Sequence, residues 1–278
     1  MPSSPRTPPH GSADRSPSTQ RQPGDHTIRL DAVTVHRGDH KALEVDSLVI
    51  GPGITALVGP NGSGKSTMLH AIAGLLRTTG SLSVGGRSPA AARRGVAYVL
   101  QAQHTSEQLL VTAREVVALA RSAEIGAFRR LSGEDRRIVD AALEQLDLAD
   151  LGGRHLAELS GGQRQRVFIA QCIAQRAPIL LLDEPVAGLD ATSAERIREV
   201  IEHERELGHV VVVATHDLAY AMQADHAVLL AGRVVAEGTP SEVLAPSHLR
   251  EAYGERVLDL ANSGPVAVDD GVHHHGAA

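Results

Sequence analysis

The sequence predicts an α/β fold with a mixed, largely parallel sheet, an antiparallel β flank and an inserted α-helical lobe. Three apolar runs, at 54–58, 179–182 and 210–214, are short and unbroken, as expected of strands buried on both faces of a parallel sheet. Between 112 and 176 the pattern is helical and no strand run interrupts it, which predicts the lobe. The flank begins with a half-buried strand pattern at 28–35.

The first parallel strand leads directly into a complete phosphate-binding motif, G-x-x-x-x-G-K-[ST]. A glycine-rich turn between a strand and a helix lets backbone N–H groups converge on an anion, and the helix adds its positive N-terminal end. Lys65 supplies a positive charge for the β- and γ-phosphates, and the Ser66 hydroxyl can ligate Mg²⁺. The chain is therefore predicted to bind ATP or GTP through one segment: Gly59, Pro60, Asn61, Gly62, Ser63, Gly64, Lys65, Ser66 and Thr67.

Two carboxylates and a histidine follow the other two buried runs. Asp183 and Glu184 end the second run, and His216 follows the third. Because the carboxyl ends of parallel strands meet at one edge of a sheet, these side chains are expected beside the phosphates. A histidine there can hydrogen-bond the γ-phosphate or the attacking water. Since neighbouring strand residues point in opposite directions, at most one of the two carboxylates can face the metal.

A helix start with exposed amide groups is predicted in the second half of the chain. Ser160 is a natural N-cap, and Gly161 and Gly162 leave backbone N–H groups bare for an anion. The polar-to-apolar pattern that follows continues to Arg176, shortly before Pro178. Taken alone, this is also the pattern of an ordinary, well-capped helix.

Together these motifs resemble those of the ATP-binding cassette (ABC) ATPases, over roughly residues 28–258. The signature sequence of that family is matched at 159–163, its Walker B strand at 179–183 and its D-loop at 188–190. Its Q-loop glutamine and switch histidine are matched by Gln101 and His216. The resemblance implies a P-loop NTPase cassette that hydrolyses ATP with Mg²⁺.

The resemblance also implies a role for each matched residue. In the family, the position of Glu184 polarises the attacking water and that of Asp183 holds the metal indirectly. The implied catalytic residues are Glu184, His216 and Gln101, and the implied Mg²⁺ residues are Ser66, Gln101 and Asp183. Two cassettes pair head to tail, so a second ABC cassette is an expected partner whose ATP would be closed over by Ser160, Gly161, Gly162, Gln163 and Asp190.

One expected family feature is missing from the loop after the first strand. ABC cassettes usually carry an aromatic residue there, which stacks on adenine, whereas Arg37 occupies the corresponding position here. A guanidinium plane can stack on a base with cation–π character, and His36 can do similar work. The alternative is that Arg37 is a solvated loop charge and adenine is held loosely.

Composition limits the remaining functions. The net charge of −6, with no sustained basic face, argues against nucleic acid as a partner. No apolar run is long enough to span a bilayer and the first residues lack the core of a signal peptide, so a cytoplasmic protein is expected, peripheral on the cytoplasmic face of the plasma membrane. The fifteen histidines are scattered without metal-ligand spacing, and the single Cys172 is expected to be buried and reduced.

Three regions are expected along the chain. Residues 1–26, rich in Pro, Ser, Arg and Thr, are predicted to be a disordered extension. Residues 27–260 are predicted to form the ABC ATP-binding domain, with the helical lobe at about 103–176. A flexible tail is expected at 261–278, where the three adjacent histidines 273–275 either capture Zn²⁺ or Ni²⁺ weakly or belong to a dispensable tail.

Local signals predict where several helices begin and end. Capping-box patterns predict helix starts at Thr112, Ser132 and Thr192. Gly208 is expected to end the last of these helices. A closing hairpin and a helical stretch at 241–253 complete the predicted fold.

The resemblance further implies a transport task. A cassette encoded without membrane spans usually belongs to a multi-subunit transporter with integral membrane permease subunits, and most such bacterial systems are importers fed by an extracytoplasmic solute-binding protein. Segments 98–101 and 128–143 resemble cassettes of zinc and manganese importers, which favours divalent metal import. Siderophore or haem uptake is the alternative cargo class. A non-transport ABC ATPase would need a long coiled-coil insertion or a strongly basic surface, and the sequence has neither.

An apolar trio interrupts the otherwise polar connection after Gln101. It consists of Leu109, Leu110 and Val111. In the ABC family this connection adjoins a groove that accepts a short cytoplasmic helix of the permease. Either the trio contacts that helix or it packs into the core of the helical lobe.

Overall fold

The computed structural model describes residues 26–99, 110–125 and 130–254. The strands in these ranges are β1 (Ile28–Arg37), β2 (His40–Ile50), β3 (Gly53–Val58), β4 (Thr78–Val84), β5 (Val96–Val99), β6 (Ile179–Asp183), β7 (Val210–Ala214), β8 (His226–Leu230) and β9 (Val234–Gly238). The helices are α1 (Lys65–Ile72), α2 (Pro89–Ala92), α3 (Ala113–Ile125), α4 (Gly133–Gln145), α5 (Gly161–Ala174), α6 (Ala191–Glu206), α7 (Leu218–Ala221), α8 (Pro240–Val243) and α9 (Pro246–Tyr253). Short 3-10 turns lie at Arg93–Gly95, Ala149–Leu151 and Leu156–Glu158.

The main sheet has the strand order β5-β6-β7-β3-β8-β9, and only its edge strand β9 pairs antiparallel. Every residue of β6 and β7 is buried. This burial explains why their sequences read as unbroken apolar runs, since helices or loops cover both faces of a parallel sheet. The prediction of a largely parallel central sheet is therefore confirmed.

A second sheet forms the predicted antiparallel flank, in the order β2-β1-β4. Its register places Ile28 opposite both Ile50 and Val84, and all three side chains are buried. Ala32 adopts a positive φ of 48° where the β1–β4 register shifts, which marks a bulge. The outward residues of β1 and β2 alternate with buried ones, as a sheet with one covered face requires.

The helical lobe consists of α3, α4 and α5, which share one hydrophobic core with the parallel sheet. Two of the predicted capping boxes start helices here. The Thr112 hydroxyl accepts from the Glu115 backbone N–H at 3.3 Å, and the Ser132 hydroxyl accepts from the Asp135 backbone N–H at 3.1 Å. Over 112–125 and 130–176, the described residues of this region form helices and 3-10 turns, as predicted.

The predicted start of α6 was wrong by two residues. Asp190, not Thr192, is the N-cap, and its carboxylate accepts from the Ser193 backbone N–H at 2.9 Å. Gly208, with a φ of 77°, does follow the end of α6 as predicted. The stretch expected to be helical at 241–253 is divided into α8 and α9, because Pro246 begins a new helix.

Several predicted features lie outside the described residues. They are Gln101, Leu109, the tail histidines 273–275, residues 1–25 of the predicted extension and the whole of the predicted tail at 261–278. Within 26–99, 110–125 and 130–254, no helix is both long and apolar enough to cross a bilayer.

Candidate active site

Three adjacent strands of the main sheet deliver the predicted site residues to one edge. β3 ends at Val58, just before the phosphate-binding segment. β7 lies between β3 and β6, and His216 follows its last residue by two positions. Asp183 is the last residue of β6. Since all three strands are parallel, their carboxyl ends meet where the sheet can hold a ligand.

The phosphate-binding segment curls in the way that its glycines permit. Gly59, Gly62 and Gly64 have φ values of 151°, 79° and 104°, a region that side chains disfavour. A Cβ on Gly59 would also lie 2.2 Å from the Leu230 carbonyl oxygen. Gly64 is the N-cap of α1, and no side chain caps that helix. The first N–H groups of α1 are therefore not taken up by a side-chain cap and can bind an anion.

Lys65 is buried within this segment, with 7% of its surface exposed. Its ammonium group donates to the Gly59 carbonyl at 2.5 Å and to the Pro60 carbonyl at 3.1 Å. The Ser63 hydroxyl is also buried, and it has no hydrogen-bond partner among the described residues. A buried cation and an unsatisfied hydroxyl in one glycine-rich turn fit a phosphate, which supplies acceptors to both.

A cavity of about 460 Å³ opens over this segment. It brings together eleven of the residues predicted to bind or hydrolyse the nucleotide, and adds one that was not predicted, Ala187. The predicted residues that line it are Arg37, Asn61, Gly62, Ser63, Gly64, Lys65, Ser66, Thr67, Asp183, Glu184 and His216.

The two carboxylates in this cavity differ in setting. Asp183 is 5% exposed and belongs to β6, whereas Glu184 lies just beyond the strand with a positive φ of 50°. The Glu184 backbone N–H donates to the Ala214 carbonyl at 3.0 Å. This turn sends the Glu184 carboxylate to His216, whose Nδ1 lies 2.9 Å from it. His216 can therefore hold the Glu184 carboxylate in an orientation suited to proton transfer.

The predicted residues of the signature and of the D-loop are not part of this cavity wall. Ser160, Gly161, Gly162, Gln163 and Asp190 all lie outside the described lining of the cavity. Exposed His36 is also absent from that lining, while exposed Arg37 is present.

Comparison with known proteins identifies the family. Residues 46–187 match the model of the ABC transporter family. The chain belongs to this family. It is thus an ATP-binding ABC ATPase subunit, and such subunits of transporters work as dimers with membrane permease partners.

Named relatives and a solved structure cover most of the chain. The manganese transport system ATP-binding protein MntB of Halalkalibacterium halodurans is 32% identical over 87% of this chain and 97% of its own length. The hemin import ATP-binding protein HmuV of Streptomyces coelicolor is 38% identical over 87% of this chain and 88% of its own. A solved ATP-binding subunit of an ABC transporter matches with a TM-score of 0.69 at 29% identity, covering 81% of this chain and 95% of that one.

In this ABC cassette, the signature helix begins against the helix that follows the D-loop. The Ser160 hydroxyl caps α5 by accepting from the Gln163 backbone N–H at 3.2 Å, as predicted. A Cβ on Gly162 would lie 2.7 Å from the Ser193 Oγ and 3.0 Å from an Asp190 carboxylate oxygen. Hydrogen bonds from the Ser193 backbone and hydroxyl hold the pKa of Asp190 below its usual range. The starts of α5 and α6 are therefore in close contact, and Asp190 is ionised.

Sequence reasoning missed two residues here: Ala187, which lines the cavity, and His70, which contacts the lining residue Arg37. The scattered histidines carried no pattern, and His70 reaches Arg37 because α1 packs against β1. An Arg37 guanidinium nitrogen lies 3.0 Å from its Nδ1. Burial lowers the pKa of His70, Arg37 lowers it further, and Asp183 opposes them. Among the described residues, no group of three or more His, Cys, Asp or Glu side chains is placed to hold a metal ion.

Proposed function

We propose that this cassette hydrolyses ATP to drive import of a divalent metal ion, manganese or zinc, through a separate membrane permease. The observation that carries the hydrolysis is the convergence of the phosphate loop, Asp183, Glu184 and His216 on one cavity. The relative MntB, named for manganese transport, supports the cargo class.

The residues in the cavity divide the chemistry among themselves. The loop N–H groups and Lys65 bind the phosphates, and Glu184, oriented by His216, accepts a proton from the attacking water. The oxygen donors of Ser66 and Asp183 fit Mg²⁺, which prefers such ligands, and Gln101 would join them from outside the described residues. When bound, Mg²⁺ neutralises charge on the β- and γ-phosphates.

The nucleotide-binding role is tested by replacing Lys65 with alanine. We expect ATP affinity to fall about tenfold to a hundredfold, because a charged hydrogen bond of roughly 1.5–3 kcal/mol is removed. Isothermal titration calorimetry with ATP measures the change. Lys41→Ala is the matched control, since Lys41 is half exposed and pairs with Glu44. Equal ATP affinity in Lys65→Ala and Lys41→Ala would contradict the phosphate-loop assignment.

The working unit is proposed to be a head-to-tail pair of cassettes. Each chain has one signature, which lies outside the cavity wall of its own described residues. A second cassette would bring Ser160, Gly161, Gly162, Gln163 and Asp190 over the partner's nucleotide. The Ser160 cap and the bare N–H groups at the start of α5 suit a γ-phosphate.

Docking of the permease is proposed at the start of the helical lobe. Of the apolar trio there, Leu110 has 84% of its surface exposed, whereas Val111 is partly buried against the lobe core. Val111 therefore packs into the core of the helical lobe, which was the alternative role for the trio, whereas Leu110 does not. A large exposed apolar side chain beside a groove that accepts a partner's helix is typical of an interface anchor.

A charge at Leu110 tests this docking. Leu110→Glu is expected to lower permease affinity by about 2 kcal/mol, roughly thirtyfold, while ATP binding by the isolated cassette stays unchanged. Co-purification with the permease and metal uptake by cells are the measurements. Leu207→Glu is the control, because Leu207 is 55% exposed at the end of α6, outside the lobe. Full uptake and intact co-purification in Leu110→Glu would show that the permease docks elsewhere.

Hemin or siderophore import is the second candidate function, favoured by the 38% identity to HmuV. Uptake assays in cells lacking the chain separate the two candidates, since loss of manganese uptake supports the first and loss of hemin uptake the second. In either case the subunit is proposed to lie on the cytoplasmic face of the plasma membrane, below a permease that an extracytoplasmic solute-binding protein supplies.

A further inference from the structure

The guanidinium of Arg37 is held at the cavity by a specific neighbour. Its terminal nitrogen lies 3.0 Å from Nδ1 of His70. Arginine has only hydrogen-bond donors, so Nδ1 is the acceptor and the imidazole proton of His70 is on Nε2. The contact joins residues that are 33 positions apart, one at the end of β1 and the other on α1, the helix that also carries Lys65.

The His70 ring is itself fixed by a contact with another aromatic ring, that of Tyr98. It meets the Tyr98 ring edge to face, with centroids 5.6 Å apart and an interplanar angle of 79°. Tyr98 belongs to β5 and packs against the core that α1 shares with the sheet. Such an aromatic contact holds the imidazole in one orientation. Arg37 is otherwise an exposed, flexible side chain, so His70 restricts a group that would sample many rotamers.

The charges that face His70 favour its role as an acceptor. The Arg37 guanidinium bonds to it from the end of β1, the Tyr98 ring contacts it from β5, and the negative charge of Asp183 on β6 acts on it electrostatically. Burial and Arg37 together outweigh Asp183, so the pKa of His70 is lowered and the ring is neutral near pH 7.

We propose that His70 is a positioning residue, which holds the Arg37 guanidinium at the cavity mouth so that its plane stacks on the nucleobase of ATP. The proposal rests on the proposed ATP site. One terminal nitrogen of Arg37 bonds to His70, and because the N–H bonds of a guanidinium lie in its plane, this contact does not cover a face of that plane. The alternative role for Arg37 is pairing with a phosphate, which requires no base. The test below distinguishes this role from stacking.

The test compares two probes, ATP and inorganic tripolyphosphate, by calorimetry on the full chain. Arg37→Ala is expected to weaken ATP binding about twofold to thirtyfold, and His70→Leu about twofold to tenfold, with tripolyphosphate binding unchanged in both. His70→Asn keeps an acceptor near the position of Nδ1 and is expected to recover most of the loss. The double variant should bind ATP no more weakly than Arg37→Ala alone, since the two side chains act as one unit.

His203→Leu is the control variant. Because His203 lies on the exposed face of α6, this variant should bind both probes normally. Thermal unfolding without nucleotide verifies the folding of every variant. Additive losses in the double variant, or no effect of His70→Leu, would overturn the positioning role. Equal losses of affinity for ATP and for tripolyphosphate would show that Arg37 pairs with a phosphate and does not stack on the base. That result would overturn the proposal. Unchanged ATP affinity in Arg37→Ala would also overturn the proposal. The ATP site itself would still be supported if Lys65→Ala lost ATP affinity.

Discussion

Replacing Glu184 with glutamine is expected to reduce ATP hydrolysis by about two to four orders of magnitude, while ATP affinity stays close to that of the unchanged chain. Glutamine keeps the size and hydrogen-bonding reach of the side chain but cannot accept a proton from water. The phosphate loop and Asp183 are untouched, so binding is retained. Phosphate release under saturating ATP, together with calorimetric ATP binding, measures both quantities.

The geometry around Glu184 makes this variant informative. The carboxylate is 13% exposed and its backbone lies in a left-handed conformation, which the bond from its N–H to Ala214 maintains. Glu206→Gln is the matched control, because Glu206 ends α6 on the surface. If Glu184→Gln turned over ATP at the rate of Glu206→Gln, Glu184 would have no part in the proton transfer.

The sequence was sufficient to predict the part of the fold that carries the cavity. Unbroken apolar runs at β3, β6 and β7 require burial on both faces, and a parallel sheet then brings their carboxyl ends together. This rule alone placed Asp183 and His216 beside the phosphate loop, although they are 33 positions apart along the chain.

Local patterns were less decisive where two of them overlap. Both Asp190-x-x-Ser193 and Thr192-x-x-Glu195 match a helix start, and the sequence does not rank them. The fold selects Asp190 because its backbone is extended and its carboxylate faces the Ser193 N–H. The sequence pattern thus leaves the choice of cap open, and the extended backbone of Asp190 decides it.

Contacts between distant segments could not be predicted at all. Arg37 meets His70, and Gly162 meets Ser193, only after helices have packed on the sheet. No periodicity or spacing marks such pairs, since each depends on the relative placement of two elements. Both contacts adjoin predicted motifs, so the motifs were recognised while the neighbours that support them were not.

The contact at Gly162 leads to a second large expected effect. Gly162→Ala is expected to lower ATP hydrolysis about tenfold to a hundredfold, because the added methyl would lie 2.7 Å from the Ser193 Oγ and overpacking of this kind costs roughly 1–3 kcal/mol. The start of α5 must then move away from α6, which separates the signature on α5 from Asp190, the N-cap of α6. ATP binding by the isolated chain should stay unchanged, since the described cavity wall contains neither.

A second substitution distinguishes steric displacement from simple loss of a glycine. Ser193→Ala removes the closest contact, so adding it to Gly162→Ala is expected to recover part of the hydrolysis, whereas Ser193→Ala alone should have little effect. Gly153→Ala is the control, because a Cβ there would meet nothing within 4 Å. Steady-state ATP hydrolysis at high protein concentration, where two cassettes can pair, is the measurement. Normal hydrolysis by Gly162→Ala, or no recovery with Ser193→Ala, would show that the close contact between the two helix starts does not govern the reaction.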